Sequence, residues 1–229
     1  MSAEDLVKKI QSVAYWRVVI RPTEYDAKRI LSLSRCKELM EKSQVVLRGW
    51  DYPHVERIQS GESWVEDRYD WEGRHLEYWR FYQSGQFVHH FSCPEEFSPL
   101  TNRAPAPDRY LSVENVVYTL TEILEFASRM AKHDVLTPSV EISIQLRGMM
   151  NRELTFTHSS RWVPSGSYVS RTDHVSYELT TSEAELRARS QDLALDAAVA
   201  IFERFGWFNP SRTILAEDQR KLLERRLGV

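Results

Sequence analysis

The segment HLEYWRFYQSGQFVHHFSC, residues 75–93, is the strongest structural signal in the chain. Two aromatic-rich runs flank Ser84-Gly85, and a two-residue turn containing glycine between such runs predicts an antiparallel β-hairpin. A turn of this length places Gln83 opposite Gln86. One face of the hairpin then carries Tyr78, Arg80, Tyr82, Phe87, His89 and Phe91. The other face carries Glu77, Trp79, Phe81, Val88 and His90, with Trp79 opposite His90.

The two faces of this hairpin predict different environments. Trp79, Phe81 and Val88 make one face the more apolar over its middle, and we expect helices or a second sheet to bury it. The available side chains are then Tyr78, Arg80, Tyr82 and His89. Such rings and a guanidinium can stack on bases or bind a partner's acidic side chain. The alternative is a hairpin buried on both faces, because large aromatic residues on both sides are also typical of burial between two layers.

Alternating apolar and polar residues predict further strands along the chain. These lie at 14–21, 45–50, 63–71, 139–148, 152–158 and 173–180. We expect 63–71 to be an edge strand and the last three strands to form a second antiparallel set. Because strands precede a helix in each half, the sequence favours an α+β fold, with largely antiparallel sheets packed against several amphipathic helices.

Capping residues mark most of the helices. The predicted helices are 2–11, 23–42, 113–132, 182–205 and a last one after 209–211. Ser112 precedes the apolar stripe of the third helix, and Ser182 with Glu185 forms a capping box for the fourth. Thr23 with Asp26 resembles a capping box and predicts the start of the second helix.

A proline-rich connection divides the chain. Pro94, Pro99, Pro105 and Pro107 all lie in the segment 94–111, where each removes a backbone donor. The chain 1–229 therefore forms either a single α+β domain or two lobes, an aromatic-rich lobe at 1–93 and an aliphatic lobe at 112–229. Its length is sufficient to bury a core without disulfides.

Composition narrows the function classes. The formal net charge is −3, without a domain-scale basic field, so nucleic-acid binding would have to be local and assisted by aromatic residues. Two cysteines cannot build a disulfide framework, which fits a reducing cytoplasm. No run approaches the roughly 18 apolar residues of a membrane span. We expect a soluble cytoplasmic protein that does not bind membranes.

The chain carries none of the common nucleotide, hydrolase or metalloprotease motifs, so we expect no cofactor. We also expect no metal, because the adjacent His89 and His90 point to opposite faces of a strand and cannot both bind one ion. An enzymatic alternative remains. In it, His89 or His90 and a carboxylate near Glu77 perform acid–base chemistry on a nucleic acid or nucleotide.

The segment RGWDYPH, residues 48–54, combines Gly, Trp, Asp and Pro, which predicts a tight strand exit. One interpretation is a packing corner, with Trp50 buried and Asp51 bonded to turn amides. The functional interpretation is the rim of a binding pocket formed by Arg48, Trp50 and Asp51.

RGWDYPH and EYWRFYQSGQFVHHF, residues 48–54 and 77–91, resemble segments of uncharacterised bacterial proteins, some of them linked to Schlafen-like ATP-binding proteins and defence loci. The resemblance implies a bacterial origin and a multi-component system. It assigns no residue a role.

The leading hypothesis is a non-catalytic binding or assembly subunit of a bacterial cytoplasmic system with a role in defence. The alternatives are a nucleic-acid- or nucleotide-processing enzyme and a single-stranded nucleic-acid binder. The predicted binding residues are Arg48, Trp50, Asp51, Tyr78, Arg80, Tyr82 and His89. The last helix aligns Leu215, Gln219, Leu222 and Leu223 on one side, which predicts self-association or partner docking; packing on the chain's own core is the alternative.

Overall fold

A seven-stranded antiparallel sheet lies at the centre of the computed structural model, which describes residues 1–98, 109–157 and 166–225. In spatial order its strands are β11 (His174–Ser182), β9 (Ser139–Arg147), β1 (Tyr15–Pro22), β7 (Phe87–Ser92), β6 (His75–Tyr82), β5 (Trp64–Trp71) and β4 (Gln59–Ser60). Two short pairs accompany the sheet: β2 (Val45–Val46) with β3 (Asp51–Tyr52), and β8 (Tyr110–Ser112) with β10 (Glu153–Thr155). Only the second pair is parallel within the described ranges.

The first of the five described helices packs on one face of this sheet, and the other four lie on the opposite face. The helices are α1 (Ala3–Gln11), α2 (Leu33–Ser43), α3 (Val113–Ala131), α4 (Glu183–Glu203) and α5 (Arg212–Leu223). The third helix is the most buried, because α2, α4 and α5 all pack against it. The Ser112 side chain accepts a hydrogen bond from the Asn115 amide, as its capping role predicts. Five helices and a large antiparallel sheet confirm the α+β prediction.

Burial alternates along β1, which separates the two faces of the sheet. Trp16, Val18 and Ile20 are buried in the main core, whereas Tyr15 and Arg17 are partly exposed on the opposite side. A smaller cluster on that side consists of Leu6, Ile10, Leu76 and Tyr78, and it seats α1 on one end of the sheet. The inner face is therefore packed, and much of the outer face is solvated, as antiparallel sheets allow.

The hairpin between β6 and β7 has a three-residue loop. The Tyr82 amide donates to the Gln86 carbonyl over 2.9 Å, and Gly85 adopts a φ of +84°. A left-handed glycine at the third loop position is the bulged arrangement of three-residue hairpins. The expected two-residue turn was therefore wrong by one position, and Trp79 pairs with His89 instead of His90.

This shift of one residue moves every β7 side chain to the other face. Phe87, His89 and Phe91 join Trp79 inside. The predicted burial of Trp79 and Phe81 is confirmed, since both are 0% exposed. The predicted availability of His89 and Tyr78 was wrong, because His89 is also 0% exposed and Tyr78, packed against α1, is 7% exposed. Val88, expected inside, and His90 are partly exposed on the outer face.

The second helix begins later than the sequence indicated. Instead of capping a helix, Thr23 continues the sheet, since its amide donates to the Ser139 carbonyl. Asp26 accepts from the Lys28 amide in a local turn. The helix starts only after Ser32, whose hydroxyl accepts from the Arg35 amide. The predicted strand at 45–50 is reduced to Val45–Val46.

Strands from the two halves of the chain share one sheet. The strand β1 lies between β7 and β9, so β9 and β11 extend the sheet instead of forming a second antiparallel set. Only the two-residue β4 lies outside β5, which was expected at the edge. Residues 99–108 of the proline-rich connection, which include Pro99, Pro105 and Pro107, lie outside the described residues. His158, at the end of the strand predicted at 152–158, also lies outside them.

The last helix packs on the chain's own core. Leu215 and Leu222 are fully buried, and the Gln219 amide donates to the Thr121 hydroxyl of α3 over 3.1 Å. The face predicted for self-association is therefore occupied within the monomer, and that prediction was wrong. No helix in the described ranges combines the length and apolar character of a membrane span.

Candidate functional site

The outer face of the sheet collects polar and aromatic side chains from six neighbouring strands, and we call it the open face. Pairing register places one row across it: Ser176, Gln145, Arg17, His90, Tyr78 and Arg68. A second row consists of Glu178, Ser143, Val19, Val88, Arg80 and Glu66. Tyr82 pairs with Trp64 at one margin, and Tyr15 pairs with Arg147 at the other. Most of these side chains are partly exposed.

Arg80 is held rigidly on the open face. Its guanidinium carbon lies 4.0 Å from the centroid of the Trp64 ring, and its Nη2 donates to Glu66 over 2.6 Å. The same carboxylate oxygen accepts from the Tyr78 hydroxyl over 2.8 Å. Burial and this hydrogen bond raise the pKa of Tyr78 above its usual value, so the phenol stays neutral. The result is a fixed stack of a cation on an indole, with the charge balanced by Glu66.

Arg17 has a different environment at the centre of the same face. It pairs in register with His90 on one side and Gln145 on the other, and no carboxylate among the described residues forms an ion pair with it. Burial and the Arg17 charge lower the pKa of His90 to about 4, so the imidazole is neutral at pH 7. His90 Nδ1 is buried without a hydrogen-bond partner. The centre of the open face therefore presents a cation, with an unsatisfied ring nitrogen buried beside it.

A polar cavity of about 350 Å³ lies where β1 begins. Its lining includes three arginines, Arg109, Arg147 and Arg152, together with Glu96 and Asp173. Arg152 is 4% exposed and forms a buried ion pair with Glu96. Tyr15 also lines this cavity, and it pairs in register with Arg147 at the margin of the open face.

The predicted site residues of RGWDYPH lie elsewhere, beside α3. Arg48 and Glu122 form a buried ion pair, and Arg48 also donates to the Thr119 hydroxyl over 3.1 Å. Trp50 is 51% exposed, so its expected burial in a packing corner was wrong. Asp51 accepts from the Gln44 side-chain amide over 3.2 Å. These residues are not brought together with Tyr78, Arg80 and Tyr82, which share the open face.

His89 and Glu77, the pair of the enzymatic alternative, do meet inside the core. His89 Nε2 lies 2.9 Å from a Glu77 oxygen, and the Tyr52 hydroxyl lies 3.2 Å from His89 Nδ1. Glu77 also accepts from the His54 amide and contacts His75, each over 2.9 Å. Burial raises the pKa of Glu77, but these hydrogen bonds outweigh it and hold the pKa well below its usual range. Because His89 is 0% exposed, a substrate cannot reach it in this conformation.

Sequence reasoning missed the residues at the centre and end of the open face. Arg17 carries the one signal that could have revealed it, since a guanidinium interrupts the apolar strand YWRVVI. Arg109, Arg147 and Arg152 are far from it in the chain and meet only through the fold. Within the described part of the chain, no three His, Cys, Asp or Glu side chains cluster in a way that could hold a metal ion.

The fold and its sites were compared with known proteins. The resemblance to Schlafen-linked bacterial proteins is not tested by the structure and stays a prediction. No protein-family model, no curated protein and no solved structure matches this chain. The open face and the cavity therefore have to be interpreted from their own chemistry.

Proposed function

We propose that this protein is a non-catalytic binding protein whose open face holds single-stranded nucleic acid. The observation that carries the proposal is Arg17, a cation without a described carboxylate partner in the middle of a partly exposed sheet. Tyr15, Tyr82 and Trp64 lie partly exposed on the same face. Single-strand binders combine such cations with rings on which bases stack.

The charge distribution favours a single strand over a duplex. The chain has a net charge of −3, so it lacks the broad positive field that neutralises the phosphates of a duplex. The positive groups are local instead. Arg21 pairs with Glu141 and Arg80 with Glu66, which leaves Arg17, Arg68 and Arg147 without a described ionic partner on this face. Local cations near aromatic rings suit a short, unstacked strand.

The dimensions also fit a short strand. An eight-residue strand such as β1 is about 25 Å long, which accommodates the smaller single-strand sites of roughly four nucleotides. Tyr15 and Arg17 protrude on the same side, two residues apart, about 7 Å along the strand. A base on the ring and a phosphate on the guanidinium are compatible with this spacing.

Fluorescence anisotropy with a labelled oligothymidylate of about ten nucleotides tests the proposal. We expect Arg17→Ala to weaken binding roughly tenfold and to reduce the salt dependence, because one phosphate contact is lost. Arg187→Ala is the matched control, since Arg187 is exposed on α4 and pairs only with Glu183 among the described residues. If the wild-type chain fails to bind the strand, or Arg17→Ala binds equally well, the proposal is wrong.

A second candidate function is assembly with a protein partner, as the leading sequence hypothesis expects. The nine-residue β11 has a neighbour on one side only among the described strands. It contains neither proline nor lysine, the residues that often protect sheet edges, and Tyr177 and Leu179 are partly exposed on it. Such an edge can accept a strand from another chain.

Light scattering tests this second candidate. We expect a concentration-dependent dimer that Ser176→Lys on the exposed side of β11 weakens. A monomer at all concentrations, or a dimer that is indifferent to Ser176→Lys, would contradict pairing of two copies at this edge. Membership of a bacterial defence system stays a prediction.

A further inference from the structure

We infer that the arginine-lined cavity at the start of β1 binds a terminal phosphate monoester, the phosphorylated end of a strand lying on the open face. The inference rests on the proposed function, and it names the part of the strand that is recognised. The cavity volume of about 350 Å³ lies at the lower end of the range of small-ligand sites.

Arg152 has a structural role in the cavity wall, since all three of its guanidinium nitrogens bond other parts of the chain. Arg152 donates through Nε to the Gly148 carbonyl over 2.7 Å and through Nη1 to the Tyr110 carbonyl over 3.1 Å. Its Nη2 forms the ion pair with Glu96. These bonds fix Arg152 as part of the cavity wall, and they also neutralise Glu96. The charges left to a ligand are therefore those of Arg109, Arg147 and Asp173.

Arg147 has hydrogen-bond donors that no described residue uses. Its Nη2 donates to the Gln145 side chain over 3.2 Å, but its Nε is buried without a hydrogen-bond partner. The bond to Gln145 is the one hydrogen bond that the Arg147 side chain makes among the described residues, so the remaining terminal donors of its guanidinium are unused. Arg109 is exposed, and no carboxylate among the described residues forms an ion pair with it. Two arginines with unused donors therefore line the cavity.

The chemistry of a monoester matches this arrangement. At pH 7 a phosphate monoester carries about 1.5 to 2 negative charges and three acceptor oxygens, whereas an internal diester carries only one charge. Two arginines opposed by a single aspartate leave room for the larger charge. Arginine is also the side chain best suited to bidentate phosphate binding.

The position of the cavity indicates a chain end. Gly148 has a φ of +75°, and a Cβ there would lie 2.9 Å from the Ala14 Cα. The two backbones therefore pack closely at the cavity wall, and we take this wall as the place where the bound strand ends. Tyr15 and Arg147 pair in register at the mouth. A phosphate held by Arg147 would place the first base at the Tyr15 ring.

Anisotropy with strands that differ only at one end tests the inference. The probes are oligothymidylates of about ten nucleotides with a 5′-phosphate, a 3′-phosphate or hydroxyls at both ends. We expect one phosphorylated strand to bind roughly tenfold more tightly than the hydroxyl strand, and inorganic phosphate to compete away that advantage. Arg147→Met and Arg109→Ala should each remove most of the advantage, while Arg187→Ala keeps it. Arg109 is exposed, so its variant remains informative if Arg147→Met does not fold.

The outcomes separate this inference from the proposed function. If all three strands bind with equal affinity, the open face binds nucleic acid but the terminal-phosphate site is wrong. If no strand binds, the proposed function fails. In that case, inorganic phosphate that raises the melting temperature of the wild type but not of Arg147→Met would assign the cavity to a small phosphorylated molecule, and the strand-end inference would be overturned.

Discussion

The two faces of the sheet differ, where β1 and β7 pair, in how completely their polar groups are satisfied. On the inner face, the Glu77 carboxylate accepts from the His54 amide and lies within hydrogen-bond distance of the His75 and His89 rings. The other ring nitrogen of His89 lies beside the Tyr52 hydroxyl. On the open face, Arg17 lacks a described ionic partner and His90 Nδ1 lacks a hydrogen bond. Complete partners are typical of groups that stabilise the fold. The unused donors of the partly exposed Arg17 are available to a ligand.

This contrast also explains why the two histidines of one strand have different roles. His89 and His90 are neighbours in sequence, yet the strand directs them to opposite faces. His89 is enclosed by Tyr52, Phe87 and Phe91, with ring centroids 4.6 to 5.5 Å away. His90 is near Tyr15 and Arg17 instead. Only His90 lies on the face that a ligand can contact.

The largest expected loss of unfolding free energy comes from a substitution on the inner face. Glu77→Ala leaves His89, His75 and the His54 amide without their common acceptor, and removing one member of a buried charged network typically costs about 3 to 5 kcal/mol. Urea denaturation at pH 7 measures this loss. Glu178→Ala, on the exposed side of β11, is the control and should change stability by less than about 0.5 kcal/mol. Equal losses in the two variants would remove the distinction between the faces.

An intermediate effect is expected on the pH dependence of the unfolding free energy, to which His90 contributes. Its folded pKa of about 4 lies below the unfolded value near 6.5, so the neutral form is favoured on folding. The contribution is fully present above the unfolded pKa and is lost as pH falls from about 6.5 toward 4. We expect the wild type to lose about 2 kcal/mol over this window and His90→Gln to lose less.

Urea denaturation at pH 7 and pH 5 compares the two proteins. His174→Gln, at an exposed position on β11, is the control and should retain most of the wild-type slope. The same slope in the wild type and His90→Gln would show that His90 is not desolvated on this face.

The smallest effect on stability is expected at Tyr82. Because Tyr82 is partly exposed, Tyr82→Ala should reduce the unfolding free energy by about 1 kcal/mol or less, while weakening oligonucleotide binding severalfold. Phe81→Ala, one residue away on the inner face, should lose about 3 to 5 kcal/mol. A loss of 3 kcal/mol or more in Tyr82→Ala would place this ring in the core and exclude it from the binding surface.

Local patterns predicted most of the elements but not their boundaries. The helices after Ser112 and Ser182 were predicted because a hydroxyl and an amide three residues apart satisfy each other without the rest of the chain. The capping box predicted at Ser182 forms only in half, since the Glu185 carboxylate accepts from the Thr181 hydroxyl instead of the Ser182 amide. Thr23 and Asp26 have a similar pattern, yet no helix forms there. The Thr23 amide instead bonds Ser139, which is distant in sequence, and this long-range contact decides the local structure.

The candidate site was predictable only in part. Arg80 and Tyr82 were expected on one face of the hairpin with Tyr78, and the register places them there. His89 was misplaced because the loop after Tyr82 contains one residue more than the Ser84-Gly85 turn suggested. In a strand, a shift of one residue exchanges the faces of all its side chains, so a small error in a turn has a large effect on a predicted site.

The sequence by itself determined the α+β class, the hairpin and the capped helices, since each depends on residues close together in the chain. The tertiary structure alone decided which face of the sheet is covered and which arginines meet. Arg17 became central to the open face because β7 and β9 pair on either side of β1. Arg109, Arg147 and Arg152 share a cavity because β9 ends near the point where the parallel strands β8 and β10 begin. Such meetings depend on packing between distant segments, for which local periodicity carries no information.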